Sequence, residues 1–301
     1  MLPLKDLPAP SLTLVGRPEH DREYRHFEGA SEVPFDPRAF GFSQRNAWWL
    51  ADSALLSYWP PDEAPHIFHD AGGLEGEFIE DSGTECYVAW NDTAAIVAFR
   101  GTQPNQPFDV WSDIDFPLVD WIESGERVHE GFRDALSHSV VERLLARLNA
   151  LPNRSVWLTG HSLGAALATL FADRFPSFAG LYTFGSPRVG DPAFALGFNQ
   201  RHAGRSFRYV NHRDVVTQVP AMEMFGARYA HVDRELHING DGRIVEVAAS
   251  GPTPESGQVE DNTPATVALV GPVIDHTPRR YAVLVWNALA GAMAPAGPGQ
   301  L

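Results

Sequence analysis

Ser162, Asp214 and His276 have the residue types and the chain order needed to build an activated serine nucleophile. A serine hydroxyl is weak by itself. It needs a base within hydrogen-bond reach, and that base needs an orienting carboxylate. Ser162 lies within Leu158-Thr159-Gly160-His161-Ser162-Leu163-Gly164-Ala165-Ala166-Leu167. The short apolar run from Ser155 to Thr159 reads as a buried strand. An Ala- and Leu-rich run to Phe175, stopped by Pro176, reads as a helix. Gly-x-Ser-x-Gly between them forms a strand–turn–helix elbow, a strained turn that lifts the hydroxyl clear of a sheet. Gly160 and Gly164 supply room for that turn, and Ala165 lets the helix approach the sheet. The competing reading of Ser162 is a helix-capping serine.

In folds built around such an elbow the acid and then the histidine follow the serine along the chain. Tyr209-Val210-Asn211-His212-Arg213-Asp214 reads as a strand with Asp214 on the turn after it. Asp191, in Gly190-Asp191-Pro192, is the rival acid, with helix capping as its alternative role. For the base, His231, His237 and His276 are the candidates. His237 falls inside a strand, and His231 just before it reads as a structural hydrogen-bonder. His276, beside Asp275, sits on a loop that a following helix pins, which suits a triad histidine. The developing oxyanion needs two N–H donors. Leu163 offers one at the helix start, and Thr102 in Arg100-Gly101-Thr102, after an inner strand, offers the other. The chemistry needs no metal and no cofactor.

The elements that must position these groups follow from periodicity. Phe42, Ala47, Leu50, Ala54, Leu55 and Tyr58 recur at helical spacing over Ala39–Trp59, which Pro60-Pro61 ends. Phe78–Ile79, Cys86–Trp90 and Ala94–Phe99 read as strands, the last two joined by Asn91-Asp92-Thr93. Phe132, Leu136, Val140, Leu144 and Leu148 mark one face of a single helix. Leu181–Gly185 and Phe207–Val210 are further strands. Glu235–Ile238 and Arg243–Val247 form a second hairpin around Asn239-Gly240-Asp241-Gly242. Arg279–Ala290 is the closing helix. Alternation of strand and helix predicts an α/β fold: a mostly parallel central sheet with helices on both faces and an added β-hairpin. Residues 1–37 read as an extended arm, 38–294 as one domain and 295–301 as a tail.

Composition narrows the function further. The 301 residues carry a net charge of −15, and the few basic residues are scattered and nearly all Arg, so nucleic acid is excluded as a partner. Hydrophobic content of 44% is ample for a large core. Cys86 is the sole cysteine, so internal disulfides and Cys-based metal sites are excluded. No run of about 18 apolar residues is present to span a membrane. No signal peptide is visible at the N-terminus, which predicts a cytoplasmic chain or a secreted one whose signal has been removed. Nothing in the sequence sets the oligomeric state.

Several stretches together resemble the class 3 lipase family, which includes the filamentous-fungal lipases. They are Phe99-Arg100-Gly101-Thr102, Val128-His129-Glu130-Gly131-Phe132, the elbow, Thr183-Phe184-Gly185-Ser186-Pro187-Arg188-Val189-Gly190, Asn211 to Pro220, and Asp275-His276. They cover roughly residues 40–290. The resemblance implies an α/β-hydrolase fold, Ser162 as nucleophile, Asp214 and His276 as its partners, and Thr102 with Leu163 as the oxyanion hole. It also implies a lid over Gln103–Trp111, where Phe108, Val110 and Trp111 would cover an acyl site, an ordinary packed loop being the alternative. Met222, Met224 and Phe225, after the Asp214 turn, are candidates for the acyl-pocket wall. The implied activity is a serine ester hydrolase, a lipase acting on acylglycerols or related carboxylic esters, with a lipid–water interface as a transient partner. The alternatives are a short-chain or feruloyl-type carboxylesterase and a non-catalytic hydrolase-fold binding module. The familiar fungal members are disulfide-bonded secreted enzymes, and this chain departs from them in having one cysteine.

Overall fold

Six consecutive apolar residues, Ala94–Phe99, form the strand β3, and every one of them is buried on both faces of a sheet. The computed structural model describes residues 2–101, 117–123, 125–224, 226–247 and 271–293. A short helix α1 (Leu12–Gly16) precedes α2 (Gln44–Leu56) and α3 (Ala64–Gly72). Strands β1 (Glu75–Asp81) and β2 (Thr84–Trp90) lead into β3. A small antiparallel ribbon of β4 (Leu118–Asp120) and β5 (Arg127–His129) follows, then α4 (Glu130–Ala135) and α5 (His138–Asn149). The elbow joins β6 (Ser155–His161) to α6 (Leu163–Arg174). Next come β7 (Gly180–Phe184), α7 (Pro192–Arg201) and β8 (Ser206–Asn211). After a small hairpin, β9 (Glu223–Met224) and β10 (Ala227–Arg228), the chain forms β11 (Glu235–Ile238), β12 (Ile244–Val247) and α8 (Pro278–Ala292).

The sheet runs in the order β1-β2-β3-β6-β7-β8-β11-β12. The pairings from β3 through β6, β7 and β8 to β11 are parallel. The outer pairs β1–β2, β2–β3 and β11–β12 are antiparallel. All parallel strands therefore end at one edge, where loops carry functional groups in open α/β sheets. On one face α2, α3 and α8 bury Trp48, Trp49, Phe68, Tyr281 and Trp286 against Tyr182 and Tyr209. On the other, α4 to α7 bury Phe132, Leu144, Leu167, Phe171 and Phe194 against Val97, Leu158 and Leu181. Helices on both faces with a parallel centre are the α/β-hydrolase arrangement. Among the described residues no helix is long and apolar enough to cross a membrane.

Two local expectations change. The helix expected through Phe132 and Leu148 is two helices, because Leu136 has ψ 61° and Ser137 caps a new start by accepting the Val140 N–H. The apolar face survives the break, with Phe132, Leu136, Val140, Leu144 and Leu148 all buried. The strand expected at Phe78–Ile79 extends over Glu75–Asp81, since its register with β2 continues through the charged ends. In the N-terminal segment Tyr24, Phe27 and Val33 enter the core, and Asp52 of α2 accepts the Tyr24 hydroxyl at 2.5 Å and the Phe27 N–H at 2.7 Å.

Candidate active site

Ser162 occupies the turn between β6 and α6 with φ 59° and ψ −129°, a conformation rarely tolerated by a residue with a side chain. Surrounding contacts hold it there. Its N–H donates to the Phe184 carbonyl of the neighbouring strand at 3.0 Å. A Cβ on Gly160 would stand 2.2 Å from the Gly164 carbonyl oxygen, and one on Gly164 would stand 2.2 Å from that of Phe99. The two glycines are thus required by close backbone approach, the first inside the turn and the second between α6 and β3. Leu163 is the first residue of α6, where N–H groups have no intrahelical acceptor.

His276 reaches this turn from the segment before α8. Its Nε2 lies 2.9 Å from Ser162 Oγ. Its Nδ1 lies 2.9 and 2.8 Å from the two carboxylate oxygens of Asp214. Because a carboxylate only accepts, Nδ1 carries the proton and Nε2 presents its lone pair to the serine. Asp214 is fully buried, and Ser162 and His276 are each 5% exposed. Two further donors support the carboxylate: the Val216 N–H at 2.9 Å and the Tyr281 hydroxyl at 2.6 Å. Tyr281, on α8, in turn accepts the Asn211 N–H at 2.9 Å. A buried carboxyl group held by three donors is fixed in place to orient an imidazole.

The structure brings Ser162, His276 and Asp214 together from the ends of β6 and β8 and the entry to α8. It sends the rivals elsewhere. Asp191 caps α7, accepting the Phe194 N–H at 2.8 Å, and pairs with Arg127. His231 Nε2 donates to the Thr217 carbonyl at 2.8 Å, and His237 bonds Glu235 within β11. Met222 is 64% exposed and Met224 half-buried, both on the β9–β10 hairpin. Thr102, Phe108, Val110, Trp111 and Phe225 lie outside the described residues. Cys86 is buried in β2, and burial pushes its thiol up to about 12, far from a reactive thiolate.

Some residues of the site were given no individual role by the sequence. Gly185, at the end of β7, has φ +60°, and a Cβ there would meet Asp214 Oδ2 at 2.7 Å and His276 Nδ1 at 2.9 Å. Tyr281 sits inside the closing helix, where an apolar spacing hides its hydroxyl. Asn211 fixes the other side, donating from Nδ2 to the Asp275 carbonyl at 2.8 Å.

Known proteins share this arrangement of elements. The sequence model of the family described as lipase (class 3) matches residues 96–224. A lipase of Rhizomucor miehei is 35% identical over 187 residues, covering 56% of this chain and 48% of its own length. Secreted mono- and diacylglycerol lipase 1 of Fusarium solani is 36% identical over 187 residues, covering 58% of this chain and 54% of its own. The chain thus spans about half the length of the curated relatives it matches. The solved triacylglyceride lipase of Rhizomucor miehei superposes with a TM-score of 0.58 at 26% identity, over 79% of this chain and 95% of that one. A triacylglycerol lipase described as having a serine protease triad for its catalytic centre superposes equally, at 26% identity and TM-score 0.58, over 76% of this chain and 89% of that one.

Proposed function

We propose that this chain, whose residues 96–224 match the model of the class 3 lipase family, is a serine ester hydrolase cleaving acylglycerols or related carboxylic esters. The observation that carries the reading is the continuous line from Ser162 Oγ through His276 to Asp214, with bonds of 2.9 and 2.8 Å. In this reading His276 Nε2 takes the hydroxyl proton as Ser162 Oγ attacks the ester carbonyl carbon. Asp214 holds the tautomer and stabilises the imidazolium. The tetrahedral intermediate collapses as His276 protonates the leaving alcohol, which leaves an acyl group on Ser162. Water, deprotonated by the same nitrogen, then attacks the acyl carbonyl and releases the acid. The Leu163 N–H at the start of α6, together with Thr102, serves as the oxyanion hole.

Two features favour a lipid ester over a small soluble one. The relatives from Fusarium solani and Rhizomucor miehei are named as lipases. Beyond Asp214 the chain presents exposed apolar side chains, Val215 at 38% and Met222 at 64%, which suit transient contact with a lipid–water interface. The word secreted in the names of the Fusarium solani and Penicillium cyclopium lipases supports the exported alternative for localisation.

The test is hydrolysis of esters of graded chain length, dissolved and emulsified, by the wild type and by Ser162→Ala. The expected result is highest activity on emulsified medium- or long-chain esters, reduced on the order of 10³-fold or more in the variant. Best rates on acetyl or butyryl esters would favour the short-chain esterase alternative. Near-normal turnover by folded Ser162→Ala would remove the serine from the mechanism.

A further inference from the structure

His161 directly precedes the elbow serine, yet the proton transfers described above make no use of it. It is 2% exposed and makes two strong hydrogen bonds. Its Nε2 lies 2.7 Å from the main-chain carbonyl oxygen of His276, and its Nδ1 lies 2.9 Å from the hydroxyl of Tyr58, itself 2% exposed. Taking the serine hydrolase reading as its basis, we propose that Tyr58 and His161 are positioning residues, a relay that ties the main chain of the base to the end of β3 beside the oxyanion hole.

The direction of every bond in the relay follows from donor and acceptor chemistry. A carbonyl oxygen only accepts, so His161 Nε2 carries a proton. Burial, with His276 as a smaller contribution, holds the His161 pKa well below its ordinary value, so the ring is neutral and Nδ1 is an acceptor. Tyr58 therefore donates its hydroxyl proton to Nδ1. The Tyr58 oxygen accepts in turn from the N–H of Gly101. Polarity thus runs one way, from Gly101 through Tyr58 and His161 to the carbonyl of His276. A Cβ on Gly101 would stand 2.1 Å from the Tyr58 hydroxyl oxygen and 2.7 Å from the His161 carbonyl oxygen, so these three segments meet with no room to spare.

The relay matters because Asp214 fixes only the imidazole. The pivot of that imidazole is the main chain of residue 276. Its N–H is bound to the Val273 carbonyl at 3.1 Å, within its own segment, and its carbonyl is held by His161. The rings of His161 and His276 lie 4.4 Å apart at 34°. A neighbour fixed in the neutral form leaves His276 free to gain charge during the reaction, whereas a charged one would repel it. Neither Tyr58 nor His161 touches a reacting atom.

Side-chain length separates the two arms of the relay. His161→Gln keeps a donor near the Nε2 position, while His161→Asn keeps only an acceptor near Nδ1. In His161→Asn, kcat should fall about tenfold or more with KM within about twofold, since small misplacements of a base cost rate rather than binding. His161→Gln should recover most of that loss, although both variants lose comparable thermal stability. Tyr58→Phe, the gentlest change, should lower kcat and leave His161 in mixed tautomers. Nitrogen NMR of histidine-labelled wild type at neutral pH should show His161 with the proton on Nε2 alone. Equal kcat losses in the Gln and Asn variants that track their stability, a loss confined to KM, or a proton on Nδ1 would overturn the relay. A wild type that hydrolyses no ester would instead refute the hydrolase reading, and the tautomer signal would still decide the geometry.

Discussion

At the scale of single residues, the site is a carboxylate solvated by protein. Asp214 has no exposure and accepts from His276, Val216 and Tyr281. Removing one donor to a buried charge costs about 1.5–3 kcal/mol. Tyr281→Phe should therefore lower kcat roughly 10- to 100-fold in a chain that still folds. Asp191→Ala should cost about 1 kcal/mol of stability through the lost α7 cap and leave kcat of the folded protein unchanged. Steady-state kinetics and thermal melts of both variants check this contrast, and the reverse pattern would transfer the acid role to Asp191. Ser162, Asp214 and His276 were legible in the sequence because serine chemistry demands an order and each lies at the end of a readable element. Tyr281, Tyr58 and Gly185 were not legible. A tyrosine inside an apolar periodicity reads as core whatever its hydroxyl touches, and a glycine that closes the Leu181–Gly185 strand gives no sign of what its missing side chain makes room for. Only their spatial neighbours, 67 residues away in sequence for Tyr281 and Asp214, reveal their use.

At the scale of elements, the elbow depends on backbone meeting backbone. Gly164 lies where a side chain would collide with the Phe99 carbonyl oxygen at 2.2 Å, so α6 approaches β3 as closely as bare backbone allows. Gly164→Ala would force the helix off the strand, and overpacking of this kind typically costs about 1–3 kcal/mol. The expected outcome is a lower melting temperature together with lost hydrolysis, because the start of α6 moves with Leu163. A variant with wild-type stability and rate would show that the helix can shift without consequence. The strand–helix alternation and both main hairpins could be read from apolar runs and turn residues. The break between α4 and α5 could not, because Leu136 continues the apolar spacing of Phe132 and Val140 straight through it. Ser137 was the available signal, a capping residue three positions before the Val140 N–H that it accepts.

At the scale of the whole molecule, burial of neutral histidines makes stability depend on pH. His26 packs edge-on between Tyr24 and Trp59 at ring distances of 5.1 and 4.5 Å, and neither ring nitrogen has a hydrogen-bond partner among the described residues. Although the residue is only half-buried overall, both nitrogens are shut off from water. Burial, with the Lys5 ammonium contributing less, holds this ring at about 3. An unfolded chain protonates the same ring near 6.5. The unfolded state therefore binds more protons between these values, so stability is complete above 6.5 and falls as pH drops through the window. At about 1.4 kcal/mol per pH unit, going from 6.5 to 5 costs about 2 kcal/mol through this one ring. His26→Phe keeps the aromatic contacts and removes the titration. The fall in melting temperature from pH 7 to pH 5 should be smaller in that variant, and an unchanged fall would show that His26 does not contribute. The composition showed an acidic chain with a large core but not which histidines the core would trap, since Tyr24 and Trp59 converge on His26 only after folding.

If Ser162 is a nucleophile activated by His276 and Asp214, a fluorophosphonate should label it covalently, as read by intact mass and peptide mapping. The expected result is one adduct per chain, on Ser162, formed in parallel with loss of ester hydrolysis and strongly slowed in His276→Ala. An adduct on another residue, or full hydrolysis by a chain quantitatively labelled at Ser162, would contradict the account.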